Sequence, residues 1–408
     1  MSAVGRSNAD SAPQGVASGR ERFTAFVTDE ASEKILRQCV TDMALSYSSV
    51  HRGGIDRAIE HLESSRSPMA LVIDISGSEM PINDVQRLAE VCEPGVSVTI
   101  IGDRNDVGLY RDLVQAGISD YIVKPLTRTL VQGSIEALIG QASSVSAPLS
   151  QKLGRIISVI GARGGVGSTT IAANLAWLLA NREKRRVTLV DLDVAYGDCA
   201  LTLDVTQNGG LRDVLENPRR IDELFLERAM VRSGERLFVL GSEERLDVPQ
   251  KIDPEALGPL FDLLRKQFHY IVVDVPRHNP EFLARMVELS TTRLVVVDQT
   301  PHSVRDVIRL RALLDAPRPG QRNLLVLNRA GEFSRNEIDP KTMSETIRLP
   351  IDFTLPYHPK SALSSANSGT PVASAGGPLA QALVSLVGEV SGRQNAGRGK
   401  KKLKWFRR

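Results

Sequence analysis

Residues 155–170 read RIISVIGARGGVGSTT, and the fold of the longer part of the chain follows from them. Arg155–Ile160 is a short, almost wholly apolar run, as expected of a strand covered on both faces. A glycine-rich loop follows: Gly161, Ala162, Arg163, Gly164, Gly165, Val166, Gly167, Ser168, Thr169 and Thr170. Beyond it, Ile171–Leu179 reads as a helix. A strand, a flexible glycine loop and a helix N-terminus form the arrangement that closes around phosphate. Glycines let backbone N–H groups turn inward, and the helix dipole favours the anion. A hydroxyl just after such a loop commonly ligates Mg2+, and Thr169 stands there. The alternative is a tight glycine turn that binds nothing.

Working outward, further buried runs recur at Arg186–Val190, Leu237–Leu240, Tyr270–Val275, Arg293–Val297 and Asn323–Leu327, and Leu379–Val390 reads as a closing helix. Strands of this type separated by helical stretches predict a parallel α/β sheet. Three of their ends carry polar chemistry. Asp191 and Asp193 close VTLVDLD, Asp274 closes YIVVD, and Asn328 with Arg329 follows LLVL. Strand ends are where α/β proteins gather ligand sites. Locally, each could equally be a solvated carboxylate or a turn-forming residue.

Toward the N-terminus, strand-like runs at Arg22–Val27, Ser46–Val50, Ala70–Ile75, Ser97–Gly102 and Asp120–Val123 alternate with helical segments. Those segments are Ala31–Leu45, Ile55–Ser64, Pro81–Cys92, Asp106–Ala116 and Thr127–Gln141. Five repeats in so short a span predict a second doubly wound parallel sheet. The domain organisation expected is a disordered polar stretch 1–20, an α/β domain 21–142, a linker 143–152, a second α/β domain 153–392 and a basic tail 393–408.

Composition supports globular domains: 42% of the 408 residues are hydrophobic and 24% charged, an ordinary balance for such a chain. A net charge of +3 is too small to imply nucleic acid. Three scattered cysteines (Cys39, Cys92, Cys199) and six histidines without ligand spacing predict neither disulfides nor zinc, and suit a reducing cytoplasm. No signal peptide or membrane span is expected. From Arg393 onward there are eight Lys/Arg and no acid, with Leu403, Trp405 and Phe406 interleaved. Such a tail suits weak contact with an anionic inner-membrane surface, or it is simply solvated.

The motifs together resemble those of MinD/ParA ATPases, over about residues 153–390. Gly161–Thr170 resembles the deviant Walker A loop, in which two lysines are usual; here Arg163 and Ser168 hold those places. The resemblance implies ATP and Mg2+ as cofactors and a nucleotide-sandwiched homodimer that Arg163 would reach across. Loss of the second lysine's charge at Ser168 implies weak hydrolysis. Nucleotide binding would fall to Arg163, Gly164, Gly165, Val166, Gly167, Ser168, Thr169 and Thr170, with Asn328, Arg329 and Pro356 on the base side. Metal would be held by Thr169, Asp191 and Asp274, and Asp193 would position the attacking water.

The front domain resembles a response-regulator receiver. Asp74 matches the phospho-acceptor and Lys124 the lysine before the last helix. Thr28 with Asp29 supplies only one carboxylate where an acidic pair is usual, and Gly102 stands in place of the switch hydroxyl. A receiver-like domain that works by docking is therefore expected, with Asp74 a weak candidate for phosphorylation. An atypical receiver followed by a MinD/ParA-like domain resembles the CpaE/TadZ family of pilus-assembly localisation factors. That resemblance implies a polar or membrane-peripheral scaffold serving a type IVb (Flp/Tad) pilus secretion machine, with its secretion ATPase as a partner. An actively cycling MinD/ParA-type ATPase is the alternative.

Overall fold

In a computed structural model of the chain, residues 20–143, 153–218, 221–243, 253–315, 320–333 and 336–392 are described. The tail at 393–408, the stretch 1–19 and most of the linker lie outside them. Two compact units divide the chain, Met1–Gln151 and Lys152–Arg408, and both are α/β.

The first unit has five strands: β1 (Phe23–Val27), β2 (Ser48–Arg52), β3 (Ala70–Asp74), β4 (Ser97–Gly102) and β5 (Asp120–Val123). All pair parallel, in the order β2-β1-β3-β4-β5. β2 lies two residues later than expected, because Ser46 and Tyr47 belong to the turn, with Tyr47 in the left-handed region. Successive residues of β1 serve opposite faces. Ala25 and Val27 pack into one apolar cluster, whereas Phe26 packs into the other.

Strands β6 (Arg155–Gly161), β7 (Val187–Asp191), β8 (Val231–Arg232), β9 (Leu237–Leu240), β10 (Tyr270–Val275), β11 (Thr292–Val297), β12 (Arg322–Ala330) and β13 (Phe353–Pro356) build the second sheet. Their order is β13-β12-β11-β6-β10-β7-β9-β8. The chain winds to one side of β6 and then crosses to the other after β10, so β6 sits where ligand crevices form. Ile156 and Ile160 of β6 face one cluster, and Ile157 and Val159 face the other, so both faces of the sheet are covered.

The expected parallel sheet is present with one addition. β8 is antiparallel to β9, and its two residues are too few to show periodicity in sequence. β13 was also not foreseen. Its Pro356 ends an edge strand, and edge strands tolerate proline because no inner neighbour needs its N–H. The Ser- and Ala-rich stretch after it forms short helices at Pro359–Ser368 and Val372–Ala375.

The helix Ser168–Asn181 lies against β10, β7 and the closing helix Pro378–Ser391. Its fully buried Asn174 bonds both ways, donating to Thr170 O (2.8 Å) and accepting from Ala373 N–H (2.8 Å). Asn174→Ala would leave the Ala373 amide unpaired. It should cost about 1–3 kcal/mol in denaturant unfolding of the second unit, and an unchanged midpoint would contradict that role.

Candidate functional site: a glycine loop over paired carboxylates

The C-terminal ends of β6, β7 and β10 bring the glycine loop, Asp191 and Asp274 together, and Asn328 reaches the loop from β12. Gly167 caps the helix Ser168–Asn181 at φ +90°, in the left-handed region. A side chain there would also strike Asn328, since a Cβ would lie 2.6 Å from Nδ2. That same Nδ2 donates to Val166 O at 2.8 Å. Asn328 reaches the loop because β12 bulges between Leu327 and Ala330, with Arg329 at φ +55°. The Asn328 amide thus grips the loop. Arg329 points its guanidinium toward Glu332 (3.7 Å).

Arg163 lies half-buried beside the loop. Its guanidinium pairs with the carboxylate of Asp298, just past β11, and donates to Gly164 O (3.1 Å). Asp298 is itself buried and accepts from Thr300 and Ser303 hydroxyls at 2.6 Å each. Burial opposes ionisation of Asp298, but these bonds and Arg163 outweigh it and hold the carboxyl below its ordinary value. Asp298 was missed in the sequence, although its place at a strand end was the signal that singled out Asp191 and Asp274.

Beneath the loop, Asp191 and Asp274 are direct partners in the register of β7 and β10. Thr169 Oγ1 donates to Asp274 Oδ2 at 2.6 Å. Asp191 accepts backbone N–H bonds from Asp193 (3.1 Å) and Cys199 (3.0 Å). The Cys199 thiol completes a buried trio whose ligand atoms lie within 4.8 Å of one another. Cys199 read in sequence as one of three unrelated cysteines. Burial, with a smaller push from the Asp193 charge, raises Asp191 to about 6, and burial with the nearby Asp191 charge raises Asp274 to about 7. Two carboxylates and a hydroxyl at one strand edge are an oxygen donor set that suits Mg2+, whose charge would relieve the pair's repulsion.

Asp193 stands at the rim, partly exposed. Its Oδ1 accepts the Tyr196 N–H (3.0 Å) and its Oδ2 lies 3.7 Å from His278 Nδ1. Gly164, Gly165 and Thr170 are exposed, while Ser168 is partly covered in the helix's first turn. Pro356 is partly buried, its strand following the β12 bulge.

In the first unit, the fully buried Asp74 carboxylate is saturated by its own neighbours. Oδ2 accepts from Thr28 N–H (3.0 Å), Thr28 Oγ1 (2.6 Å) and Lys124 Nζ (2.6 Å). Oδ1 accepts from Ser76 N–H (2.9 Å) and Oγ (2.6 Å). Burial alone would raise the Asp74 pKa, but the bonds from Lys124, Ser76 and Thr28 prevail and lower it. Lys124 also bonds Asp29 at 2.5 Å. No switch hydroxyl fits at Gly102, because a Cβ there would lie 2.2 Å from the Tyr121 hydroxyl, which donates to Arg104 O.

Comparison with known proteins points to the second unit. Residues 154–316 match the family described as AAA domain. The septum site-determining protein MinD of Synechocystis is 29% identical over 226 residues, which is 54% of this chain and 82% of that protein. The structure of MinD from Pyrococcus horikoshii, complexed with Mg-ADP, is 26% identical with a TM-score of 0.51, covering 60% of this chain and 98% of that one. A pilus assembly protein CpaE from Caulobacter crescentus is 26% identical, covering 28% of this chain and 97% of that one, with a TM-score of 0.28 that carries no functional weight.

The raised carboxyls make a signed pH prediction. They bind protons more tightly folded than unfolded, where the ordinary value is 3.8. Their contribution to stability is therefore full below about 4 and is lost as pH rises through 6 and 7. In chelator, with Trp177 emission followed in a Trp405→Phe background, stability should fall from pH 5 to pH 8. Asp274→Asn should flatten that slope, and an identical slope in the variant would contradict the pairing. The residues assembled around the loop and the matched relatives agree that the second unit contains a MinD/ParA-like P-loop ATPase domain.

Proposed function

We propose that the protein is an ATP-binding localisation scaffold that works as an ATP-sandwiched homodimer with weak or no hydrolysis, serving the assembly of a type IVb (Flp/Tad) pilus secretion machine. The observation that carries this reading is the loop itself. It keeps the glycines, the Thr169 hydroxyl and the helix N-terminus that hold phosphates, yet places the neutral Ser168 where a lysine would stabilise transferring charge.

In this reading, backbone N–H groups of Gly164–Thr170 cradle the phosphates. Mg2+, when bound, would neutralise phosphate charge. Thr169, Asp191 and Asp274 would hold it, the carboxyls losing any proton they carry as they do so. Asn328, Arg329 and Pro356 flank the base, with Asn328 exchanging its bond to Val166 O for one to the base edge. Arg163 must leave Asp298 to reach a second copy, so dimer formation competes with an internal ion pair. The first unit acts by docking to pilus and secretion proteins, the secretion ATPase among them. The saturated Asp74 supports a role without phosphorylation. The basic segment 393–408 would add weak contact with the inner membrane, and the protein would gather at a pole or membrane site from the cytoplasm. No helix among the described residues is long and apolar enough to cross a membrane.

Two outcomes follow from this chemistry. Ser168→Lys should tighten Mg-ATP binding in calorimetry by roughly tenfold, the scale of one well-placed charge–phosphate contact. No gain would mean that the phosphates do not lie on this loop. Incubation with acetyl phosphate should leave Asp74 unlabelled, and an acyl phosphate lost in Asp74→Ala would overturn the docking-only role of the first unit.

One feature favours the cycling ATPase as a second reading. Asp193 is partly exposed at the rim beside His278, with one carboxylate oxygen oriented by the Tyr196 amide. Sustained Mg2+-dependent phosphate release that Asp193→Ala abolishes would establish it.

A further inference from the structure

Asp191 and Cys199 are joined by a tight turn. Beyond β7 the chain returns on itself, and the Cys199 N–H donates to Asp191 Oδ2 at 3.0 Å. Gly197 permits that return, because a Cβ there would lie 2.4 Å from the same carboxylate oxygen. The turn brings the Cys199 sulfur to Asp274 on the neighbouring strand, with Sγ 3.9 Å from Oδ2. All three side chains are buried, and they are the one trio of potential metal ligands among the described residues. Sequence spacing does not reveal the trio, since Asp274 lies 75 residues beyond Cys199.

The sulfur changes which cation the site suits. Mg2+ takes oxygen ligands in near-octahedral geometry and keeps several waters. A thiolate favours softer ions, and two carboxylates beside it suit a borderline divalent ion such as Zn2+ better than Cu(I). The distances agree. With Zn–S of about 2.3 Å and Zn–O of about 2.0 Å, tetrahedral ligation puts sulfur and oxygen roughly 3.5 Å apart. The Cys199–Asp274 pair already stands at 3.9 Å, so small side-chain movements close it. Cys199 also belongs to the apolar cluster around the helix Ser168–Asn181, but filling that cluster needs no sulfur beside a carboxylate.

We propose that Asp191, Cys199 and Asp274 bind a zinc-type divalent cation in the nucleotide-free protein, with the Cys199 thiolate selecting it over Mg2+. Binding exchanges the thiol proton, and any proton on the carboxyls, for the cation, and those protons pass to solvent. Two of the three ligands are those of the proposed Mg2+ site, on which this reading rests in part. It adds a third ligand, a different ion and a consequence: a cation held on Asp274 excludes Mg2+ from that carboxylate and so opposes loading of Mg-nucleotide.

The test uses the full chain, stripped with chelator and free of nucleotide, titrated with Co2+ as a spectroscopic stand-in for Zn2+. Cobalt on a thiolate gives an intense near-ultraviolet charge-transfer band that oxygen ligands do not give. The band should saturate at one equivalent, bleach on addition of Zn2+ and persist in excess Mg2+. Cys199→Ser should remove it, whereas Cys39→Ser and Cys92→Ser should keep it. Asp274→Asn retains the thiol and should weaken Co2+ roughly tenfold or more, since even loss of an outer-shell partner costs about 10–100-fold. Circular dichroism confirms that each variant is folded. No band in the wild type, a band that survives Cys199→Ser or is erased by Mg2+ alone, or unchanged Co2+ affinity in Asp274→Asn would overturn the inference. Mg-ATP calorimetry on the same protein separates the two readings. A cobalt band without ATP binding upholds the zinc-type site and removes the nucleotide reading, and ATP binding without the band does the reverse.

Discussion

Two carboxylates that face each other across adjacent parallel strands set the terms for the second unit. Asp191 and Asp274 are fixed in register at the ends of β7 and β10, and burial denies them the solvent that would let both ionise. A fold that spends stability in this way needs compensation. It comes partly from the Thr169 hydroxyl and the backbone amides of Asp193 and Cys199. A divalent cation would supply the rest. Coupling runs from that pair outward. Thr169 sits in the first turn of the helix that follows the glycine loop, so its bond to Asp274 ties that helix to β10. Asn328 then ties the loop to the far side of β6 through Val166.

The loop is therefore held at both ends by polar contacts that, in the proposed reading, a nucleotide would replace. Thr169 is committed to Asp274, Asn328 to Val166, and Arg163 to Asp298. Each contact is polar and joins residues far apart in sequence, and in the proposed reading each would be exchanged for one to phosphate, base or a second copy. Ligand binding would then replace internal bonds instead of creating order from nothing, which keeps the entropy cost of closure small. In that reading the exchange would lower net affinity, and the neutral Ser168 would lower it further.

The two units use the same strand-edge logic to opposite ends. In the first, Asp74 is surrounded by Thr28, Ser76 and Lys124, so its charge is satisfied without any ligand. Tyr121 occupies the space that a hydroxyl at position 102 would need. In the second unit the carboxyls are short of partners. Much of this was legible in sequence, because strand ends carrying Asp and a glycine loop between strand and helix depend on local pattern. Thr28 and Gly102 likewise marked the departures in the first unit. What escaped was tertiary. Asp298 lies 135 residues from Arg163, and only the folded sheet shows that it neutralises the guanidinium. Cys199 is unremarkable until β7 and β10 bring it beside two aspartates. β8 and β13 are too short for periodicity to reveal, and the bulge that turns Asn328 onto the loop has no signature in the run of leucines before it.

The most direct measurement is the mass of the full chain by light scattering after a single addition of Mg-ATP, followed over hours beside released phosphate. A homodimer that forms on addition and persists with negligible release is the predicted result. A chain that stays monomeric with ATP, or a dimer that decays in step with phosphate release, would contradict a scaffold built on a held nucleotide.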